Sequence, residues 1–176
     1  GAVALDPSLG YYVFAFDKAF GKSAVQLSPI HMISDDTERP YVFTDLPEAT
    51  YKRLPALLAD ALPDDFGNAL IDRYLADKGI PKSEITSLDR LAYMGKRAMG
   101  ALEFKPTRGP KNIKPSALEM NELVLEARRA VKGTIGSDDH ANATLRSIIE
   151  VGTSAGGARA KAVIAWNPET EEIRSG

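Results

Sequence analysis

The chain has 176 residues, 44% apolar, 26% charged and 7% aromatic: the length of one good-sized domain or two small ones, and a composition that excludes wholesale disorder, collagen and coiled coil. No run of about 18 uncharged apolar residues is present, which excludes a membrane-spanning helix, and zero cysteines exclude a disulfide scaffold, a Cys-ligated metal and a thiol nucleophile while fitting a reducing cytoplasm. A net charge of −2, from 22 basic and 24 acidic residues, does not mark a dedicated nucleic-acid or membrane-surface binder.

From Ala2 to Phe43 the pattern is strand and turn. AVAL, YYVFAF (Tyr11 to Phe16), Val25 to Leu27 and YVFT from Tyr41 are punctuated by Asp-Pro, Gly-Lys-Ser, Ser-Pro and Asp-Asp, which predicts a small, mostly antiparallel sheet. From Leu46 to about Gly79 the period changes. Leu54, Leu57, Leu58, Ala61 and Leu62, followed by Phe66, Leu70, Ile71, Tyr74 and Leu75, recur at helical intervals. Pro63 with Asp64 and Asp65 divides this stretch into two helices, and Gly79 stops the second. A further helix is predicted over Ser87 to Met94 and a strand over Gly100 to Phe104.

Lys105 to Pro115 holds three prolines and four basic residues and reads as a linker. Residues 105–133 carry 7 basic and 3 acidic groups against 11 and 15 in residues 1–104, so the basic character is local. The cations Lys105, Arg108, Lys111 and Lys114 lack interleaved aromatics and read as solvated surface rather than a nucleic-acid contact. An amphipathic helix from Ser116 to Lys132, with capping-box spacing at Ser116 and Glu119, precedes another over Asp139 to Glu150. KAVIAW, an Asn-Pro turn at Asn167 and Pro168, and a returning strand predict a terminal hairpin.

Several chemical motifs are excluded. Gly21 to Ser23 is not a P-loop, because position 16, where the first glycine belongs, is Phe. His31 and His140 stand 109 residues apart with no HExxH and no cysteine, so neither a metal site nor a Ser-His-Asp triad is indicated. Asp138, Asp139, His140 and Asn142 lack the order and spacing of a kinase catalytic loop and read as a helix N-cap. The glycine cluster differs. Gly152, Gly156 and Gly157, with Thr153, Ser154, Ala155 and Ala158 among them and Arg159 and Lys161 behind, would let backbone N–H groups approach an anion beside a cation. A structural Gly-rich turn entering a hairpin fits the same residues.

Pro63 to Gly67 (PDDFG), Tyr93 to Leu102 (YMGKRAMGAL) and Gly156 to Lys161 (GGARAK) resemble, in order, three segments of the HipA family of type II toxin-antitoxin kinases. The resemblance implies an α+β fold with a small antiparallel sheet packed with helices over 1–104, a basic Pro-rich linker over 105–115, and the start of a kinase core with its Gly-rich loop over 116–176. It implies an ATP- and Mg-dependent serine/threonine kinase whose family targets include aminoacyl-tRNA synthetases. The implied partner is a helix-turn-helix antitoxin of the HipB type, with operator DNA contacted mainly through that antitoxin, and no membrane is implied. On this reading Gly152, Ser154, Ala155, Gly156, Gly157, Ala158, Arg159 and Lys161 face the nucleotide phosphates. Ser154 takes the position of self-phosphorylation, Lys161 matches the loop lysine, and Ala160 stands where many members carry proline. The catalytic Asp and the magnesium-binding Asn and Asp of the family have no counterpart here, so the resemblance implies an N-terminal fragment, inactive alone. The competing reading is a non-catalytic module that docks an antitoxin.

Overall fold

The computed structural model describes residues 1–98, 100–109 and 164–175. The chain divides into two compact units, Gly1–Leu62 and Pro63–Gly176. The architecture of the described residues is α+β, two separate two-stranded antiparallel sheets accompanied by helices.

In the first unit β1 (Ala2–Asp6) pairs antiparallel with β2 (Tyr11–Ala15), Ala2 opposite Ala15 and Asp6 opposite Tyr11. The turn is built by one carboxylate. Asp6 Oδ1 accepts from the Ser8 N–H (2.9 Å), the Ser8 hydroxyl (2.6 Å) and the Leu9 N–H (3.2 Å). Those bonds to the ionised form hold the Asp6 carboxyl below its ordinary value, the Ser8 hydroxyl being the largest cause. Gly10 closes the turn at φ +70°, a left-handed conformation natural to glycine. Alternation then works as the strand period requires: Tyr12, Phe14 and Phe16 are buried while Tyr11, Val13 and Ala15 are only partly covered. The Phe14 ring meets Phe16 edge-on at 4.9 Å, and Phe16 meets Tyr41 edge-on at 5.9 Å, arrangements the ring quadrupoles favour.

Two of the four predicted strands do not form. Tyr41 makes a single bridge, exchanging both backbone hydrogen bonds with Phe14 (2.9 and 2.7 Å), and the pairing goes no further. Val25 to Leu27 is irregular. Its Val25 N–H is taken by Ser23 Oγ, and the Gln26 side chain accepts from the Ser34 N–H, so local side-chain bonds replace a ladder. The predicted turn at Gly21 to Ser23 is present as a single 3-10 turn, Phe20–Lys22.

The first predicted helix is broken in two, α1 (Glu48–Tyr51) and α2 (Ala56–Ala59). Lys52 and Arg53 both take left-handed φ, +52° and +64°, and Pro55, which cannot donate, starts α2 rather than continuing α1. Arg53 is tied down on both sides. It pairs with Glu48 at 2.7 Å, and its carbonyl accepts from the Tyr12 N–H at 3.1 Å. The hydrogen bond to Glu48 is the main reason its guanidinium pKa is raised.

The second unit opens with α3 (Asp65–Ala76), N-capped by Asp64, whose carboxylate accepts from the Gly67 N–H at 2.8 Å. It closes as the sequence indicates. Gly79 at φ +78° donates to Ala76 O while Ile80 donates to Leu75 O, the two bonds of a Schellman end. Next, α4 (Ser87–Met94) begins in a reciprocal capping box between Thr86 and Asp89. Phe66, Leu70, Ile71, Leu75, Tyr93 and Met94 form the core of this unit. The predicted strand over Gly100 to Phe104 is absent. The segment is irregular and turns back on α4, the Phe104 N–H reaching Gly95 O at 2.9 Å and the Arg108 N–H reaching Ala92 O at 2.8 Å. These bonds satisfy carbonyls at the helix end that a strand would leave open.

The predicted terminal hairpin forms from β3 (Ile164–Trp166) and β4 (Ile173–Ser175), Trp166 opposite Ile173. Asn167 Oδ1 shapes the turn by accepting from the Glu169 and Thr170 N–H groups.

Candidate functional site

The phosphate cradle predicted at Gly152, Ser154, Ala155, Gly156, Gly157, Ala158, Arg159 and Lys161 lies outside the described residues, as do the helices predicted over Ser116 to Lys132 and Asp139 to Glu150. The other two motif segments are described, and both are structural. In PDDFG, Asp64 caps α3, the Asn68 amide donates to Pro63 O at 3.0 Å, and Phe66 and Gly67 are buried. In YMGKRAMGAL, Tyr93 and Met94 fill the core and Gly95 ends α4 at φ +56° and ψ −112°. A β-carbon on Gly95 would fall 2.6 Å from Thr107 Cγ2. The glycine there serves the crossing of the chain over the helix end.

Tyr93 is the most constrained of these residues. Only 1% of it is exposed, Tyr74 packs edge-on at 5.1 Å, and the Arg97 guanidinium lies 4.9 Å from the ring centre. Arg97 Nη2 also donates to Tyr93 O at 2.7 Å. Burial pushes the Tyr93 phenol far above the ordinary tyrosine range, against a smaller lowering effect of Arg97. Such a phenol is no base near neutral pH; it anchors packing.

A polar clamp joins the two helices. Arg90 donates through Nη1 to Asn68 Oδ1 (2.9 Å) and through Nη2 to Asp72 Oδ1 (2.7 Å), and Lys82 approaches Asp72 Oδ2 at 2.9 Å. Both partners of the Arg90–Asp72 pair are 16% exposed. Sequence reading missed this clamp. Its one visible signal is the i, i+4 spacing of Asn68 and Asp72 on α3, and the arrival of Arg90 opposite them depends on how the chain returns.

No group of three or more residues able to hold a metal ion occurs among the described residues, and His31 is exposed on a turn. No helix among them is long and apolar enough to cross a membrane. What the described residues define is a small α+β scaffold whose motif residues cap, bury and cross. Residues 1–105 match the family model of the HipA N-terminal domain. The chain therefore belongs to the HipA N-terminal domain family and is related to HipA-like toxins. No curated protein matches the chain, and no solved structure matches it.

Proposed function

We propose that this chain is the N-terminal portion of a HipA-like toxin that phosphorylates serine or threonine on a protein substrate at the expense of ATP. The single observation that carries the reading is the family match over residues 1–105, followed in the same chain by Gly-Gly-Ala-Arg-Ala-Lys at Gly156 to Lys161. Backbone N–H groups of Gly152 to Ala158 would face the nucleotide phosphates, and Lys161 would neutralise part of their charge. Ser154 is the site of self-phosphorylation. A phosphate there adds about −1.5 to −2 charges where the anionic nucleotide has to sit, which shuts the site. Transfer itself needs an Asp to position the hydroxyl and Asn and Asp to hold Mg, and no motif of that kind occurs in the 176 residues. This chain alone is then a binding and regulatory element.

The test has two arms. The purified chain should transfer no label from ATP, and magnesium-dependent transfer would overturn the division of labour. In a protein that joins this chain to the magnesium motifs, Ser154→Ala should abolish self-phosphorylation and spare substrate phosphorylation; self-phosphorylation at an unchanged level would refute the role of Ser154. Docking of a helix-turn-helix antitoxin of the HipB type, with operator DNA held through it, is the second reading. The exposed side chains of Val25, Ile30 (84% exposed) and Ile33 favour it, since large apolar groups in water mark contact surfaces. Co-purification of antitoxin with this chain, lost when Ile30 is changed to Asp, would support it. An aminoacyl-tRNA synthetase is the family's substrate class and the first protein to try.

A further inference from the structure

We infer that residues 100–109 form a strap that closes on α4 as a unit, and that Asp89 is its fastening. One carboxylate does two jobs. Its Oδ2 accepts from the Thr86 N–H (3.0 Å) and hydroxyl (2.6 Å), starting the helix, while Oδ1 accepts from Arg108 Nη1 at 2.8 Å, holding the strap. Behind that ion pair the backbone makes two further bonds, Arg108 N–H to Ala92 O and Phe104 N–H to Gly95 O. At the far end Gly109 is buried, so close to Tyr93 O that a β-carbon would overlap it.

Beyond these bonds the segment is held by a longer contact, Lys96 Nζ to Glu103 Oε2 at 4.0 Å, between two exposed side chains. Leu102 and Phe104 are half-buried, and Ala101, Glu103, Lys105, Pro106, Thr107 and Arg108 are exposed. A segment held by a few solvent-facing bonds rather than by burial opens locally, well below the free energy of global unfolding. The Asp89–Arg108 pair sits at the surface, with Arg108 64% exposed, so salt weakens it. Opening releases ten residues, which can reach about 33–36 Å when extended. The strap, which includes the first half of the basic Pro-rich sequence, thus sets the length of tether between α4 and the chain that follows Gly109, and its closure is switched by the ion pair.

Amide hydrogen exchange on the whole chain tests this. In Arg108→Gln the amides of residues 104 and 108 should speed up together, after correction for intrinsic rates, by about 3- to 5-fold, the upper end of what an exposed ion pair is worth. The Leu70 and Ile71 amides of α3 should not change, which shows that the fold is intact. Raising salt should accelerate the same two amides in the parent chain and do so less in Arg108→Gln, where only the longer Lys96–Glu103 contact is left to screen. Thr86→Ala, which removes the hydroxyl cap but leaves Asp89 facing Arg108, should keep strap exchange within about twofold of the parent, less than loss of the ion pair gives. Independent behaviour of the two amides, no response to Arg108→Gln, or an equal response to Thr86→Ala would each overturn the inference.

Discussion

Gly95 offers the sharpest test of why a family motif carries a glycine. Gly95→Ala changes one atom at a position with φ +56° and ψ −112°, outside the regions that L-residues occupy, which costs about 1–3 kcal/mol. The new methyl would also lie 2.6 Å from Thr107 Cγ2 and 2.9 Å from Thr107 Oγ1. Thr107 is exposed and lies on the strap, so its side chain can give way and this overlap adds a smaller cost. The loss, at least the backbone term of about 1–3 kcal/mol, should lower the urea midpoint by at least about 0.3 M, given a slope of about 1–3 kcal/mol/M for a chain of this size. Adding Thr107→Ala removes both close contacts but not the backbone cost, so the double variant should recover only part of the loss. The reasoning fails if Gly95→Ala unfolds within about 0.2 M of the parent chain, less than the backbone term would produce. It also fails if the double variant is fully restored, because the backbone term would then be absent.

The Arg90 clamp should be worth more than a surface pair. Arg90→Met leaves Asp72 largely buried with only Lys82, and should cost about 2–3 kcal/mol in urea unfolding, at or below the range for breaking a buried pair because Lys82 remains. A double-mutant cycle with Asp72→Asn should return at least about 1 kcal/mol of coupling, and additive losses would refute the clamp. Alkaline titration bears on Tyr93: its pKa is raised in the folded state, so its contribution to stability is intact below the ordinary tyrosine pKa and is lost as pH rises above it. Absorbance at alkaline pH should show a tyrosine that ionises only together with unfolding, and Tyr93→Phe should remove that step. Asp6 has the opposite sign. Its carboxyl is depressed in the folded state, so the turn is firm above the ordinary carboxylate range and loosens as pH falls through the lowered value. Exchange of the Ser8 and Leu9 amides should therefore accelerate in acid, after correction for intrinsic rates, and Asp6→Asn should abolish that pH dependence.

Some of the molecule was legible because the cause was local. The strand pair over Ala2 to Ala15, the N-terminus of α3 at Asp64, its stop at Gly79, the span of α4 and the Asn167 turn each rest on a side chain or glycine acting within a few residues. The misreadings share a different cause. Val25 to Leu27 and Gly100 to Phe104 have strand-like composition, but a strand exists only where another pairs its backbone groups, and Ser23, Ser34 and Gly95 engage those groups instead. The helix predicted between Leu46 and Pro63 had the right period, yet Lys52, Arg53 and Pro55 broke it, with Arg53 O accepting from the Tyr12 N–H of β2.

The motif residues illustrate the same division. Sequence alone identified Pro63 to Gly67 and Tyr93 to Leu102 as family segments, and the match over residues 1–105 established the family. Only the tertiary structure decided what those residues do: Asp64 caps, Phe66 and Tyr93 fill a core, and Gly95 yields space to Thr107. The same holds for the Arg90–Asp72 clamp and for Asp89, whose partners lie 18 and 19 residues away in the chain. Local propensity acts through bonds between near neighbours and is written in the sequence. Contacts across such separations depend on where the chain returns, and that is fixed by packing the whole unit at once.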